Sequence, residues 1–253
     1  MKDRIHLIRQ KFQKNMEYYD AHAIVQKKAA SRLHQIITQH YCETPNSILE
    51  IGCGTGLLTK KIIHSYQTQH YYLNDINEQI SDALKETIRK QSHTFLIGDA
   101  QKLVFPSGMD LILSSSTIQW FEDTPEFFRK IEKNLSAQGC FFFSSFGNDN
   151  LREIRSLTSK GLDYISHNNL KSLLNQHFEI LHSSEETVTL TFQSPVEILR
   201  HLKLTGVTGP FSSIWTKATL AQFCQQYTSD FCRNGVFPLT YHPLYFGLRK
   251  RTL

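Results

Sequence analysis

Glu50-Ile51-Gly52-Cys53-Gly54-Thr55-Gly56 follows a short β-type run, Ser47–Ile51, and leads straight into an apolar-periodic helical stretch that starts at Leu57. Three glycines at alternate positions between a strand and a helix let the backbone turn tightly. They also let a ligand approach where a Cβ atom would exclude it. A dinucleotide fingerprint of the G-x-G-x-x-G kind requires glycine at position 57, where this chain has Leu57. The pattern is E-x-G-x-G-x-G. A glycine-rich turn without a ligand would account for the loop alone, so the flanking strands have to discriminate.

Those strands alternate with helices. Leu58, Ile62 and Ile63 form the inward face after the loop, and Tyr71-Tyr72-Leu73-Asn74-Asp75 is a strand ending in an acid. Asn77 is placed to cap a helix with Ile80, Ala83, Leu84 and Ile88 on one face. Thr94–Ile97 and Met109–Ser114 read as strands, and Thr124-Pro125 opens a helix running to Leu135, because proline at the first helical position loses no needed hydrogen bond. Cys140–Phe146 is the next strand. This rhythm predicts an α/β fold with a mostly parallel twisted sheet and helices on both faces. It breaks after Gly147: residues 148–177 look helical, Val188, Leu190 and Phe192 alternate as a strand, residues 195–206 and 216–232 are helical, and a last strand spans Phe237–Leu248.

Composition removes several classes. With 40% hydrophobic and 20% charged residues and seven prolines in 253, the chain can bury a core. No apolar run approaches the roughly 18 residues of a membrane span. The five cysteines (42, 53, 140, 224, 232) include no CxxC pair and are odd in number, so no disulfide framework and no metal are expected and a reducing cytoplasm fits. The net charge of +5 comes without a basic block or interleaved aromatics, so nucleic-acid binding is not indicated and acidic proteins or anionic small molecules are as plausible. Residues 1–15 are basic, yet Ile5, Ile8, Phe12, Met16 and Tyr19 recur at three- and four-residue steps, which predicts a structured helix rather than a targeting segment.

The glycine loop resembles motif I of class I S-adenosylmethionine-dependent methyltransferases. Asp75 ends the next strand nineteen residues beyond Gly56, where a carboxylate can accept both ribose hydroxyls. Gly98-Asp99-Ala100 ends the third strand, where Asp99 can accept from an adenine amino group. The resemblance implies S-adenosyl-L-methionine as cofactor, a Rossmann-like class I fold, and a site formed by Glu50, Gly52, Cys53, Gly54, Gly56, Asp75, Ile76, Asp99, Ala100 and Ser115. Cys53 has no base placed beside it by sequence and reads as a loop residue, not a nucleophile.

The acceptor decides what further chemistry is needed. An amine or hydroxyl must lose a proton and calls for a general base, whereas a carboxylate is ionised at pH 7 and needs none. The chain lacks the N/D-P-P-Y/F tetrapeptide of exocyclic-amine methylation and paired cysteines for cytosine carbon; Ser114-Ser115-Ser116-Thr117-Ile118-Gln119-Trp120 follows the fourth strand instead. Four segments then resemble one family. These are Thr117-Ile118-Gln119-Trp120, Arg200-His201-Leu202-Lys203-x-x-Gly206, Phe237-Pro238-Leu239-Thr240-Tyr241-His242, and Phe12-x(5)-Tyr18-x(3)-His22. The family is the malonyl-acyl-carrier-protein O-methyltransferases of biotin synthesis, and the resemblance runs nearly end to end. It implies methylation of the free carboxylate of a malonyl thioester, carried on acyl-carrier protein or coenzyme A, with no nucleic acid or membrane involved and a monomeric enzyme.

Within that resemblance, Arg200 is the candidate to hold the malonyl carboxylate, since a guanidinium fork matches carboxylate oxygens. A full clamp would quench the nucleophile, so one oxygen is expected to be engaged. Lys203 lies one turn on. Tyr18 and His22 share a helix face that would fold over the cofactor. Gln119 and Trp120 sit at the carboxyl edge of the sheet, with Tyr241 and His242 as pocket-wall hydrogen bonders. No general base is required. Arg152, Arg155 and Lys160 offer a docking face for an acidic carrier protein, or an ordinary solvated charge run. The triple serine lacks the asparagine common in the family at that point. The expected layout is amino-terminal helices over the cofactor site (1–40), a Rossmann-like core (41–147), lid helices with an intervening core strand near 178–192 (148–235), and a carboxyl-terminal core strand (236–253). Alternatives are another small-molecule O-methyltransferase, acting on a quinone precursor or other carboxylate, an RNA methyltransferase, and a protein that only binds the cofactor.

Overall fold

The computed structural model describes residues 9, 10, 13, 16, 18–158, 161–206 and 216–251. Ile5, Ile8, Phe12 and Lys160 lie outside them; residues 9, 10, 13, 16 and 18–22 are helical. The chain divides into two compact units. One comprises Gln26–Ser145, Ile165–Glu185 and Leu244–Leu253; the other comprises Met1–Val25, Phe146–Tyr164 and Glu186–Pro243.

The elements run α1 (Ile24–His40), β1 (Ser47–Ile51), α2 (Thr59–Ser65), β2 (His70–Asp75), α3 (Ile80–Ile88), β3 (His93–Ile97), β4 (Met109–Ser115), a 3-10 turn (Ile118–Trp120), α4 (Thr124–Asn134), β5 (Leu135–Phe146), α5 (Arg152–Thr158), α6 (His167–Leu174), β6 (Phe178–Glu185), β7 (Val188–Phe192), α7 (Pro195–Leu204), α8 (Lys217–Phe231), β8 (Phe237–Tyr241) and β9 (Pro243–Lys250). Seven strands form one sheet in the order β3-β2-β1-β4-β5-β9-β6. β1 to β5 pair in parallel, and β6 pairs antiparallel with β9. β1 and β4, covered on both faces, are buried along nearly their whole length, while the edge strand β3 is half-exposed along its length. Because β1 lies between β2 and β4, the strand order reverses at its carboxyl end, which is where open α/β sheets bind ligands.

The core of this unit is aromatic. Phe141 stacks on Phe143 at 5.0 Å and Phe143 on Phe246 at 5.2 Å, with Phe128 and Ile112 buried in the same cluster. Offset aromatic pairs add about 0.5–1.5 kcal/mol each beyond their buried area. The helix after β4 starts as read from Thr124-Pro125, with the Asp123 side chain accepting from the Glu126 N–H as its cap. Asn77 instead makes a local turn, its Oδ1 accepting from the Gln79 N–H at 3.0 Å, and α3 begins at Ile80.

Two strand assignments are corrected. The single core strand expected near 178–192 is two strands: β6 belongs to the seven-stranded sheet, and β7 pairs antiparallel with β8 in a separate two-stranded sheet. The final strand is likewise broken at His242, with β8 and β9 in different sheets. The alternation of Val188, Leu190 and Phe192 reports a ladder packed on helices, where they border a second cluster of Ile198, Leu202, Phe223, Tyr227, Leu239 and Tyr241. β6 is an edge strand with mostly half-buried residues, so its apolar period is weak. β5 begins at Leu135 rather than Cys140, because Ser136, Ala137 and Gln138 are small or polar, partly or fully exposed, and carry no period-two signal.

Candidate functional site

The glycine loop turns back on β2: the N–H groups of Gly52 and Cys53 both donate to the Asn74 carbonyl, at 2.8 and 3.0 Å. Gly52, Gly54 and Gly56 all have positive φ (70°, 51° and 79°), a region that side chains other than glycine's enter at a cost. Each also serves a different neighbour. A Cβ on Gly52 would meet the Thr117 hydroxyl at 2.1 Å, and one on Gly56 would meet Leu84 at 2.4 Å. A Cβ on Gly54 would meet nothing within 4 Å among the described residues. The loop is therefore pinned on two sides and open on the third.

Asp75 is held by the loop it serves. Its Oδ2 accepts from the Gly54 N–H at 2.9 Å and its Oδ1 from the Asn77 N–H at 2.8 Å. Burial raises its pKa, while these backbone donors favour the anion. Each oxygen keeps a lone pair for a further donor. Ile76 follows, half-buried. Asn74, not singled out from the sequence, donates its Nδ2 to the carbonyls of Leu96 (2.7 Å) and Gly98 (3.1 Å), tying the ends of β2 and β3 together.

Asp99 accepts the Gln101 N–H on Oδ1 at 3.0 Å. Among the described residues its Oδ2 is buried without a hydrogen-bond partner, and Lys102 Nζ stands 3.7 Å away, beyond hydrogen-bonding distance. Lys130 Nζ donates to the carbonyls of Ala100 and Leu103, so the Asp99 loop is fixed from behind and Ala100 is buried. A buried carboxylate oxygen with no donor costs free energy unless a ligand supplies one.

At the end of β4, Ser114 Oγ donates to the Ile51 carbonyl (3.0 Å) and the hydroxyls of Ser115 and Ser144 lie 3.1 Å apart. Ser116 holds φ 56°, unusual for a residue with a Cβ, and its Oγ is a second buried oxygen without a hydrogen-bond partner among the described residues. Nothing in a run of three serines distinguishes it. Gln119 donates Nε2 to the Ser116 carbonyl (2.6 Å) and accepts on Oε1 from Ser145 Oγ (3.4 Å); Trp120 is half-buried beside it in sequence.

Glu50 and Cys53 sit under the loop. Glu50 is buried and accepts from Thr59 Oγ1 (2.8 Å) and Tyr71 Oη (2.7 Å). Burial pushes its carboxyl up to about 7 despite those donors. It braces the loop against α2 and β2, with both side-chain donors coming from the protein. Burial pushes the Cys53 thiol well up, the opposite of what a nucleophilic thiolate needs.

The other unit carries the remaining candidates. α7 starts with Ser194 as cap and Pro195 in its first turn, and buries Ile198, His201 and Leu202. Arg200 and Lys203 occupy its exposed face, and neither pairs with a carboxylate among the described residues. His201, absent from the sequence-level candidates, lies 2.8 Å by Nε2 from Tyr241 Oη. Burial, then the neighbouring His22, lowers its pKa to about 4, so it is neutral at pH 7. Burial raises the Tyr241 phenol far above its ordinary value. His242 accepts the Asp149 N–H on Nδ1 (3.2 Å), and its own N–H donates to Asn150 Oδ1 (3.2 Å). Glu153, buried, accepts the Thr240 N–H (3.0 Å) and its hydroxyl. Tyr18 is exposed and His22 half-buried.

Comparison with known proteins agrees with this geometry. A family described as "Methyltransferase domain" matches residues 49–143, the stretch from β1 into β5. The malonyl-[acyl-carrier protein] O-methyltransferase of Bacteroides fragilis is 40% identical over 97% of this chain, which spans about half of that longer protein. The protein of the same name from Bacteroides thetaiotaomicron is 36% identical over 97% of this chain and 98% of its own length. Among solved structures, the N-methyltransferase NodS from Bradyrhizobium japonicum, in complex with S-adenosyl-L-homocysteine, shares the fold at a TM-score of 0.56 and 13% identity, over 97% of this chain and 99% of that one. The loop, the two strand-end acids and near-full-length relatives together place this chain in the malonyl-[acyl-carrier protein] O-methyltransferase family, on a class I methyltransferase fold.

Proposed function

We propose that the protein transfers a methyl group from S-adenosyl-L-methionine to the free carboxylate of a malonyl group carried on acyl-carrier protein, giving the methyl ester. The relationship over 97% of the chain carries the acceptor, because it extends well past the core that methyltransferases of many acceptors have in common. The residues present suit the donor: the open side of Gly54, the spare lone pairs of Asp75 and the partnerless oxygen of Asp99 form a cradle for a ribose and an adenine amino group. The donor, when bound, supplies an electrophilic methyl carbon on a sulfonium.

The protein's task is then positioning, which can supply about 7–11 kcal/mol of a barrier. Asp75 receives the ribose hydroxyls and Asp99 the adenine amino group; Ile76 and Ala100 flank the ring. Arg200 engages one oxygen of the malonyl carboxylate and leaves the other free to attack, with Lys203 assisting or meeting the thioester arm. Tyr18 and His22 close over the donor, Gln119 and Trp120 exclude water, and Tyr241 and His242 line the acceptor. No residue acts as general base. Masking the charge prepares an acyl chain for an apolar tunnel, where an unpaired carboxylate would be very costly. The same reading makes the enzyme a cytoplasmic monomer.

The test is methyl transfer from labelled S-adenosylmethionine to malonyl-acyl-carrier protein, beside acetyl-carrier protein and malonyl-coenzyme A. Base-labile label on the malonyl carrier protein alone supports the reading. Labelling of the acetyl form, or no transfer despite donor binding, overturns the acceptor.

A further inference from the structure

The chain's positive charge is not spread evenly. α1 carries Lys27, Lys28 and Arg32, and α2 carries Lys60 and Lys61; neither helix contains an aspartate or glutamate. These five cations equal the whole formal excess of +5, so the rest of the chain is balanced. The two helices are fastened to one another: the ring Nε2 of His34 lies 2.7 Å from Ser65 Oγ, and Tyr66 Oη donates to the Tyr41 carbonyl at 2.7 Å. Lys27, Lys28, Arg32 and Lys60 are exposed and Lys61 half-buried. None of them forms an ion pair among the described residues, and Arg32 reaches only the neutral Gln35, at 3.4 Å. Glu43 and Asp110 lie at the far end, beside Tyr41, where the Asp110 carboxylate is taken by the N–H groups of Asn46 and Ser47.

The placement also works against stability. Lys60 and Lys61 stand in the first turn of α2, at the positive end of its dipole, where a cation is unfavourable. A merely solvated face has no reason to keep them there. The Lys60 N–H bonds the Gly56 carbonyl at 3.0 Å, so the charged surface begins within one turn of the glycine loop. Of the cations expected to serve the carrier protein, Arg152 and Arg155 are engaged elsewhere. Arg155 donates to the Asn148 carbonyl and lies over the Tyr164 ring, Arg152 lies 3.6 Å from the buried Glu153, and Lys160 is outside the described residues.

We infer that the joined outer faces of α1 and α2 form the docking surface for an acidic protein partner, the acyl-carrier protein of the proposed reaction. The inference rests on that reading for the partner's identity. Acidic side chains of the carrier meet Lys27, Lys28, Arg32, Lys60 and Lys61, and the flexible arm bearing the malonyl group leads from this face. Interaction of exposed charges of this kind steers association and weakens steeply with salt.

The experiment measures binding of fluorescently labelled malonyl-carrier protein by anisotropy at low and high salt. It compares the parent with Lys27→Glu/Lys28→Glu/Arg32→Glu and with Lys60→Glu/Lys61→Glu. Each variant is expected to weaken binding about tenfold or more and to raise KM for the carrier protein alike. Turnover of a short malonyl thioester without a protein attached, and affinity for S-adenosylhomocysteine, should stay at parental values, which also shows that the variants fold. Unchanged carrier binding in both variants overturns the inference, as does a parent whose carrier binding ignores salt. Loss of RNA or anionic-vesicle binding in the variants with carrier binding intact assigns the face to another partner and overturns it too. A parent that binds the carrier through these residues yet methylates no malonyl thioester sinks the proposed reaction and leaves the docking face standing.

Discussion

Gly52 and Thr117 stand so close that a methyl group on the glycine would lie 2.1 Å from the threonine hydroxyl. A methyl group on Gly54, two residues on, would meet nothing within 4 Å among the described residues. The two positions therefore separate folding from ligand binding. Gly52→Ala combines a positive-φ penalty with a steric clash and should destabilise by about 3 kcal/mol, roughly 6–12 °C in Tm. Gly54→Ala carries only the backbone penalty of about 1 kcal/mol, yet its methyl group would occupy the ligand's side of the loop. Thermal unfolding and calorimetric titration with S-adenosylhomocysteine should show a large Tm loss for the first, and an affinity loss of about tenfold or more at modest Tm cost for the second. Equal behaviour would mean that Gly54 does not face the ligand.

Asp75 and Asp99 divide in the same manner. Asp99→Asn keeps an acceptor for the Gln101 N–H but can turn its amide nitrogen where Oδ2 now lies, setting donor against donor at an adenine amino group. Its expected effect is about a tenfold or greater loss of S-adenosylhomocysteine affinity with little change in Tm. Asp75→Ala strips the acceptor from two backbone N–H groups and should lower both affinity and stability. A Tm loss for Asp99→Asn as large as for Asp75→Ala would contradict the assignment of Oδ2 to the ligand.

Glu50 and His201 pull stability in opposite directions with pH. Burial holds Glu50 at about 7, above the 4.5 of an exposed glutamate, so between those values the folded state keeps a proton that the unfolded state releases. Stability therefore falls as pH rises through that window, by up to about 3 kcal/mol. His201, at about 4 rather than 6.5, refuses a proton that the unfolded chain accepts, so its contribution is lost as pH falls from 6.5 towards 4. The slopes offset one another where the windows overlap. Glu50→Gln should unmask a stability that rises with pH between 4.5 and 6.5, and His201→Gln one that falls. Chemical denaturation at pH 5, 6 and 7 reads both; parallel profiles for parent and variants would show that neither group titrates as described.

The parts legible from sequence were those set by local backbone demands. The loop, Asp75 and Asp99 all sit at strand ends whose position follows from period and turn chemistry, and the structure places them within one unit at the carboxyl edge of the sheet. What was not legible depends on partners distant in the chain. Glu50 belongs to motif I, yet its carboxylate answers to Thr59 and Tyr71, which no spacing rule connects to it. Ser116, at its unusual φ, donates its N–H to the Ser144 carbonyl at 3.0 Å on the neighbouring strand, a partner far off in the chain. β6 and β7 read as one strand in sequence because neither the half-buried edge strand nor the two-stranded ladder marks its own limits, and only pairing separates them.

Arg200 carries the sharpest kinetic prediction. It is exposed on α7 with no carboxylate partner among the described residues, so its removal should leave the fold and the donor site intact. If it holds one oxygen of the malonyl carboxylate in the ground state, Arg200→Ala raises KM for the malonyl thioester by about 10- to 100-fold, the scale of one charge-assisted hydrogen bond. The attacking oxygen is then no less nucleophilic, and by losing a nearby cation it becomes slightly more so. Saturating kcat should therefore hold within about threefold while kcat/KM collapses, and S-adenosylhomocysteine affinity should not move. Arg200→Lys keeps the charge without the planar fork and should fall between the two. Steady-state kinetics on the malonyl thioester reads the split. A lowered kcat at unchanged KM would place Arg200 at the transition state alone, and unchanged kinetics would remove it from the reaction.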